Sequence, residues 1–384
     1  MDWGIYIHIP FCRQKCYYCD FPSFAGRERY INSYVDALCS EIRSRGILHY
    51  YNIGNEGFFT SKAKTCYIGG GTPTALKVSE LLKIIEAVKN LLRTDAEFTV
   101  ECNPGTVDEK YLLALHQAGV NRLSFGVQSF NDKILARIGR IHKANDAIAA
   151  IEMAKKIGFN NLSLDLMYGL PSQTMDDLQD SIYKAAECKV EHISIYGLQI
   201  EEGTVFAKLA AENKLMLPSD ELVEKMYDYM TAALPKLGYK RYEISNFAKA
   251  GYESCHNLGY WQDVPYLGFG SAAHSYIDGV RYSAASDIKK YIDGINSNNY
   301  AVGIEEKYSR KNHIEEFCFL ALRTAAGIDK DKFKKVFNQS IEEIFGKVIT
   351  EQKNKRLLAE TEKNIYLTPL GMKYGNEVFS EFLL

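Results

Sequence analysis

The chain has 384 residues, 46% of them hydrophobic and 24% charged, the proportions of an ordinary globular protein. Its 48 acidic and 46 basic residues give a net charge of -2, which leaves no basic excess for a nucleic-acid partner. No apolar run reaches the length of a membrane span, no signal-peptide pattern opens the chain, and nine cysteines, an odd number, argue against a disulfide framework, so the expectation is a cytoplasmic protein.

Short β-rich runs alternate with helical patterns from residue 3 to about residue 200. The predicted strands are WGIYIHI (3–9), TCYIG (65–69), EFTVEC (97–102), RLSFGV (122–127), NLSLDLMYG (161–169) and HISIYGL (192–198). Amphipathic stretches such as SELLKIIEAVKNLL and TMDDLQDSIYKAAE lie between them, and several begin near Ser, Thr, Asp or Asn and end near Gly. That rhythm predicts an α/β fold with a parallel sheet and right-handed crossovers. Six strands are too few for a closed eight-stranded barrel, which leaves a partial barrel or a flat doubly wound sheet. Residues 47–64 break the rhythm and read as a surface insertion. Beyond residue 200 the pattern loosens into a helix at about 219–236, a β-like YKRYEIS and a Gly- and aromatic-rich stretch over 251–283. From about 308, helices at 308–325, 329–337 and 340–352 precede NIYLTP and a last helix, the outline of a small winged-helix-like module. The expected division is 1–200, 201–305 and 306–384.

Cys12, Cys16 and Cys19 follow the first strand directly, spaced by three and then two residues, whereas the other six cysteines are scattered and read as small buried residues. Clustered thiolates hold iron–sulfur clusters, and three of them leave one iron of a cubane open to another ligand. The competing account is a zinc site completed by His8 or Asp20. GGGTPT (69–74) follows the second strand, where glycines let the backbone approach a ligand closely. Polar residues recur at later strand ends: Glu101, Gln128 and Asp165, with Arg140 in IGRIH. In a β/α barrel such strand ends converge on one mouth. Taken alone, Arg140 reads more readily as a surface cation and Glu101 as a helix-capping acid, and HNLGYW (256–261) reads equally as a packed loop with a satisfied histidine.

YIHIPFCRQKCYYCDF, with Tyr18 just before the third cysteine, resembles the radical S-adenosylmethionine superfamily. Within it the stretch is similar to the oxygen-independent coproporphyrinogen III oxidase family and its HemW haem-chaperone branch. The similarity extends to GGGTP, MYGLPSQT, YGLQIEEGT and LTPLGMKYGNEVFSEFL, essentially the whole chain. It implies a partial (β/α)6 barrel with a C-terminal winged-helix-like α+β domain. It also implies a [4Fe-4S] cluster on Cys12, Cys16 and Cys19, whose open iron is chelated by S-adenosylmethionine and whose electron cleaves the sulfonium to a 5′-deoxyadenosyl radical. On the same resemblance, Gly69, Gly70, Gly71 and Thr72 contact the methionine amine, and Glu101 and Gln128 lie near the methionyl end. Arg140 pairs the carboxylate, Asp165 reads the ribose and Met167 packs near the adenine. Tyr6 and His8 lie under the cluster loop, with Tyr18 beside it.

Two functions from different classes follow: an oxidase that decarboxylates coproporphyrinogen III, and a chaperone that binds haem and passes it to an apo-haemoprotein. The oxidases resemble CxxxCxxCxC, but Phe21 stands at the fourth cysteine's place here, and few residues precede IYIHIP where the oxidases carry a longer segment. HNLGYW matches the HNxxYW haem motif of the chaperone branch, which makes His256 the expected ligand, Asn257 its support, and Tyr260 and Trp261 the flat faces for a porphyrin. His274 and Cys255 are rival ligands. The favoured reading is the chaperone, delivering haem to a respiratory protein through a transient contact at the membrane surface, with a homodimer left open.

Overall fold

The structure is a computed structural model that describes residues 2–45, 61–297 and 302–384. Its spine is a run of six parallel strands in chain order: β1 (Gly4–Ile9), β2 (Ala63–Gly70), β3 (Leu92–Cys102), β4 (Arg122–Gln128), β5 (Leu162–Tyr168) and β6 (His192–Gly197). Each coincides with a predicted run to within two residues, except β3, which starts five residues before the predicted 97–102. Helices α1 (Ile31–Arg45), α2 (Val78–Lys89), α3 (Glu109–Gln117), α4 (Asp132–Arg137), α5 (Ala144–Ile157) and α6 (Met175–Glu187) fill the crossovers. A sheet whose strands never reverse order keeps all its right-handed crossovers on one face, which is barrel winding and not the doubly wound arrangement.

After α7 (Val205–Ala211) and α8 (Asp220–Lys236), the short strands β7 (Lys240–Arg241) and β8 (Asn246–Ala248) extend the sheet beyond β6. The aromatic stretch that carried no predicted element resolves into α9 (Cys255–Trp261), β9 (Tyr266–Phe269), β10 (His274–Ile277) and β11 (Val280–Ala284). Strand β9 pairs parallel with β1, and β10, β11 and β12 (Val302–Lys307) continue outward antiparallel; α10 (Ile288–Asn296) lies between the last two. Four-residue strands are too short to show a period in sequence. Of the segment read as an insertion, residues 47–60 lie outside the described residues, and Ala63 and Lys64 already belong to β2.

The C-terminal part runs helix, strand, helix, helix, strand, strand: α11 (Arg310–Leu322), β13 (Ile328–Asp329), α12 (Lys330–Phe337), α13 (Ile341–Asn354), β14 (Leu358–Glu360) and β15 (Asn364–Leu367). The β14–β15 hairpin is the wing, and α14 (Pro369–Lys373) and α15 (Gly375–Ser380) close the chain. This part has its own buried core around Phe317, Phe333, Phe337, Phe345 and Phe382.

In β1, Ile5, Ile7 and Ile9 are fully buried against the helix layer, as are Leu123, Phe125 and Val127 in β4 and Leu162, Leu164 and Leu166 in β5. Each such side chain contributes about 1.5–3 kcal/mol. The β1–β9 seam depends on Tyr34 of α1, fully buried, whose hydroxyl donates to the His8 carbonyl at 2.7 Å and accepts from the Ser271 amide at 3.0 Å. Tyr34→Phe leaves both groups without that partner. The expected loss is about 1–3 kcal/mol, read as a lower urea midpoint at unchanged slope.

Candidate cofactor pocket and aromatic cleft

A strand turns alternate side chains to opposite faces. With the aliphatic residues facing the helices, the other set faces the lumen: Tyr6 and His8 from β1, Thr65, Tyr67 and Gly69 from β2, Glu97, Thr99 and Glu101 from β3. Strands β4, β5 and β6 add Arg122 and Ser124, Ser163 and Asp165, and His192 and Ser194. Contacts across the lumen confirm the set. Tyr6 stacks on Tyr67 at 6.4 Å, Ser124 Oγ donates to Asp165 Oδ1 at 3.4 Å, and Ser163 and His192 share a hydrogen bond at 2.8 Å.

The cysteine loop leaves β1 at its C-terminal end. It is pinned by the Cys12 amide on the Phe24 carbonyl at 3.0 Å and the Tyr17 amide on the Ile138 carbonyl at 3.1 Å. All three cysteines are free thiols and half-buried. Thr72 Oγ1 donates to Cys12 Sγ at 3.6 Å, Arg140 Nη1 to Cys16 Sγ at 3.4 Å, and Cys19 Sγ lies 3.9 Å from the Ser23 hydroxyl. Burial pushes the Cys12 and Cys19 thiols above their ordinary values. Donors around sulfur suit the negative charge of a thiolate-bound group, and loading such a group releases the thiol protons. Among the described residues no three His, Cys, Asp or Glu side chains converge on one metal ion. His8 turns both ring nitrogens to protein, Nδ1 to the Tyr6 hydroxyl at 2.9 Å and Nε2 to the Pro22 carbonyl at 2.8 Å. Three free thiols, with His8 engaged at both ring nitrogens, fit a cluster that takes one thiolate per iron.

The glycine turn lies against this loop. Gly70 has φ +110°, and a Cβ there would meet the His8 ring at 2.5 Å; at Gly71 it would meet the Phe11 carbonyl at 2.8 Å and Cys12 Sγ at 3.0 Å. Only glycine lets the turn come this close. The Gly70 amide donates to Glu101 Oε2 at 3.1 Å, and the Tyr67 hydroxyl donates to Oε1 at 2.8 Å. Burial raises the Glu101 carboxyl to about 7, and burial also raises Asp165. Arg140 reaches the Gly126 carbonyl, and Gln128, at φ +71° beside an irregularity in the β4–β5 register, turns its amide toward the same glycine. Met167 is buried in one cluster with Phe206, against which Tyr17 and Tyr18 pack. Cys12, Cys16, Cys19, Gly70, Glu101, Gln128 and Arg140 thus lie at or just beyond the C-terminal ends of the strands, whereas Tyr6 also lines a cavity with Tyr260 and His274.

The histidine motif lies at the opposite end. Helix α9 is anchored on the strand starts: Glu97 accepts the Cys255 and His256 amides, both at 2.9 Å, and Ser254 caps Asn257. His256 is buried, with Nδ1 bonded to the Thr65 hydroxyl at 2.8 Å and Nε2 to the Tyr260 hydroxyl at 2.9 Å, and its ring stacks on Tyr67 at 5.2 Å. Burial, with Arg122 nearby, lowers the imidazole to about 3. Tyr260 and Trp261 instead line a cavity of about 270 Å³, together with Tyr266, Tyr276 and Arg281. Arg323, just past α11, lies 4.5 Å over the Trp261 ring. Asn257 is half-buried and Cys255 exposed. Sequence reasoning missed Tyr67, Glu97 and Arg122; their signal was the lumen-facing position in strands whose other face is aliphatic. It also missed Tyr266, Tyr276 and Arg281, which lie on strands too short to recognise.

Residues 6–184 match the radical SAM superfamily, and residues 308–374 match the HemN C-terminal domain. Coproporphyrinogen III oxidase (HemN) from Escherichia coli, a radical SAM enzyme, superposes with a TM-score of 0.85 over 99% of this chain and 90% of its own. At 24% identity that likeness is one of fold. The fold and the cysteine loop together define a radical SAM protein. The heme chaperone HemW of Bacillus subtilis is 41% identical over 98% of each chain, that of Lactococcus lactis 38% over 99% of this chain and 97% of its own, and that of Escherichia coli 38% over 71% and 70%. The chain belongs to the HemW family.

His256 is neutral in the fold and ionises near 6.5 when free, so its contribution to stability is present above about pH 6.5 and is lost as pH falls toward about 3. His256→Gln removes this proton uptake. The gap in melting temperature between wild type and variant should be widest near neutral pH and narrow as pH drops below about 6.5; a gap independent of pH would contradict the assignment.

Proposed function

We propose that this protein is a haem chaperone. It holds a [4Fe-4S] cluster on Cys12, Cys16 and Cys19, binds S-adenosylmethionine beside it, and carries haem to an apo-haemoprotein. The observation that carries this reading is the 41% identity over 98% of both chains to a protein named heme chaperone HemW. When bound, the cluster supplies an electron for reductive cleavage of S-adenosylmethionine. The chain's own side chains bind and orient. A carboxylate suits an ammonium and a guanidinium suits a carboxylate, which gives Glu101 and Arg140 the two ends of the methionyl group. An ammonium beside Glu101 favours its ionised form against the burial that opposes it. Asp165, between Ser124 and Ser194, presents a carboxylate for a ribose diol. Gly69–Thr72 offers backbone groups, Gln128 an amide, and Tyr6, Tyr18 and Met167 apolar surface.

Haem is the cargo, received where Tyr260 and Trp261 line the cleft, while His256 fixes the Tyr260 hydroxyl and Asn257 lies in the same turn. Phe21 supports the chaperone reading over the oxidase: it stands at the place of the oxidases' extra cysteine, is 60% exposed, and can neither ligate metal nor exchange a proton. Among the described residues no helix is long and apolar enough to cross a membrane, so delivery to a membrane-bound acceptor would use a peripheral contact.

Replacing Cys12, Cys16 or Cys19 with Ala should abolish the cluster's visible absorption after anaerobic reconstitution; an unchanged spectrum would reject the ligand assignment. Reduced holoprotein incubated with coproporphyrinogen III and S-adenosylmethionine should form no protoporphyrinogen IX. Product formation would decide for the oxidase.

A further inference from the structure

Of the charged side chains around the cofactor pocket, Glu101 takes the Gly70 amide at 3.1 Å and the Tyr67 hydroxyl at 2.8 Å. Asp165 takes the Ser124 hydroxyl at 3.4 Å, and Arg140 reaches the Gly126 carbonyl and Cys16 Sγ. Arg122, the first residue of β4, differs from all of them. It is 2% exposed, and among the described residues it makes no hydrogen bond and no ion pair within 4.0 Å. Thr99, its register partner on β3, is itself buried and leaves its own hydroxyl unpaired. A cation taken out of water without a partner is among the costliest groups a fold can carry, and its retention calls for a use of the charge.

Register places that charge beneath the two acids. Thr99 pairs with Arg122 and Glu101 with Ser124, so Glu101 lies one alternation, about 7 Å, further along the neighbouring strand on the same face. On the other side Ser124 pairs with Ser163 and Gly126 with Asp165, which sets Asp165 two alternations along. Burial raises both carboxyls, and Arg122 pulls each back down. At Glu101 it does so with the Tyr67 and Gly70 bonds and against the Asp165 charge, and at Asp165 with the Ser194 and Ser124 bonds and Arg140. The other titratable groups that feel these acids are Tyr6, Tyr67, Tyr196, Tyr260 and Cys102, and burial raises every one of them, so they stay neutral near pH 7.

We propose that Arg122 is the counter-cation of the cofactor pocket: it stands too far from Glu101 and Asp165 to occupy either, and close enough to hold both as carboxylates for the ammonium and the ribose of S-adenosylmethionine. A direct ion pair would ionise an acid by filling it. A cation set one layer below does the same and leaves the remaining lone pairs for a ligand. Arg122 is thus a positioning residue that acts through the two acids. The inference rests on the S-adenosylmethionine reading of the pocket given above.

Two measurements test it, and they fail separately. In the cofactor-free full-length chain, the infrared band of protonated carboxyl that persists near neutral pH is assigned by its loss in Glu101→Gln. It should titrate about one pH unit higher in Arg122→Met than in wild type, where Glu101 stands at about 7. Arg122→Lys, which keeps the charge but not the shape, should titrate nearer to wild type. In the anaerobically reconstituted chain, Arg122→Met should raise the Kd for S-adenosylmethionine about five- to tenfold at about pH 6.5 to 7, and the difference should vanish by about pH 9, where both acids ionise unaided. An unshifted band in Arg122→Met, or a loss of affinity equal at every pH, would overturn the proposal. A shifted band with unchanged affinity would leave the counter-cation standing and overturn the assignment of the two acids to the cofactor. Should circular dichroism show Arg122→Met unfolded, Arg122→Gln carries the same expectations.

Discussion

The two-residue period of six parallel strands is the constraint on which everything else here depends. Ile5, Ile7 and Ile9 commit β1 to the helix layer, and in doing so they commit Tyr6 and His8 to the lumen. The same parity puts Glu101 and Asp165 inside, where burial raises both carboxyls. A slip of one residue in any strand would send its polar set into the helices and its aliphatic set into the pocket. Register and chemistry are therefore fixed by one hydrophobic pattern, and the lumen can carry charged groups because the opposite face supplies the burial energy.

That parity also links the two ends of the barrel. From the glycine turn the contacts run Gly70 amide to Glu101, Glu101 to the Tyr67 hydroxyl, the Tyr67 ring to His256, and His256 to Tyr260. Each step is a part-buried hydrogen bond or a stacked ring, so the cofactor loop and the aromatic cleft share one packed column. The glycine turn cannot shift without disturbing Glu101, whose two oxygens each hold one member of the column. The histidine motif is thus as much the barrel's floor as it is the cleft's wall.

The parallel strands and the cysteine loop were legible because each rests on a local signal: an apolar period long enough to read, or an unusual residue at fixed spacing. Glu101, Gln128 and Asp165 were legible as polar residues at strand ends. Tyr67 and Arg122 carried only the strand parity, which marks the non-aliphatic face but does not by itself tell a lumen from solvent. The short strand β9 was hidden for a different reason: its pairing partner is β1, some 260 residues earlier, and no local pattern encodes it, while β10 and β11, which pair with their neighbours in sequence, are only four and five residues long. The enclosure of His256 was also invisible, since Thr65, which binds it, lies 191 residues away.

The C-terminal part belongs to the same construction. Its first helix contributes Glu316 and Leu320 to the cleft. His313 binds Asp263, Lys332 donates to the Gln262 carbonyl at 2.6 Å, and Arg323 covers the Trp261 ring. All three grips fall within three residues at the end of α9 and the turn after it, so the orientation of Trp261 is set from outside the barrel while that of His256 is set from inside. Glu316 further holds Arg281, whose strand carries the far wall. A cleft whose opposing walls are tied to one helix keeps its width only while that helix stays docked, and the small C-terminal core, with its five buried phenylalanines, is what makes the helix rigid enough to serve.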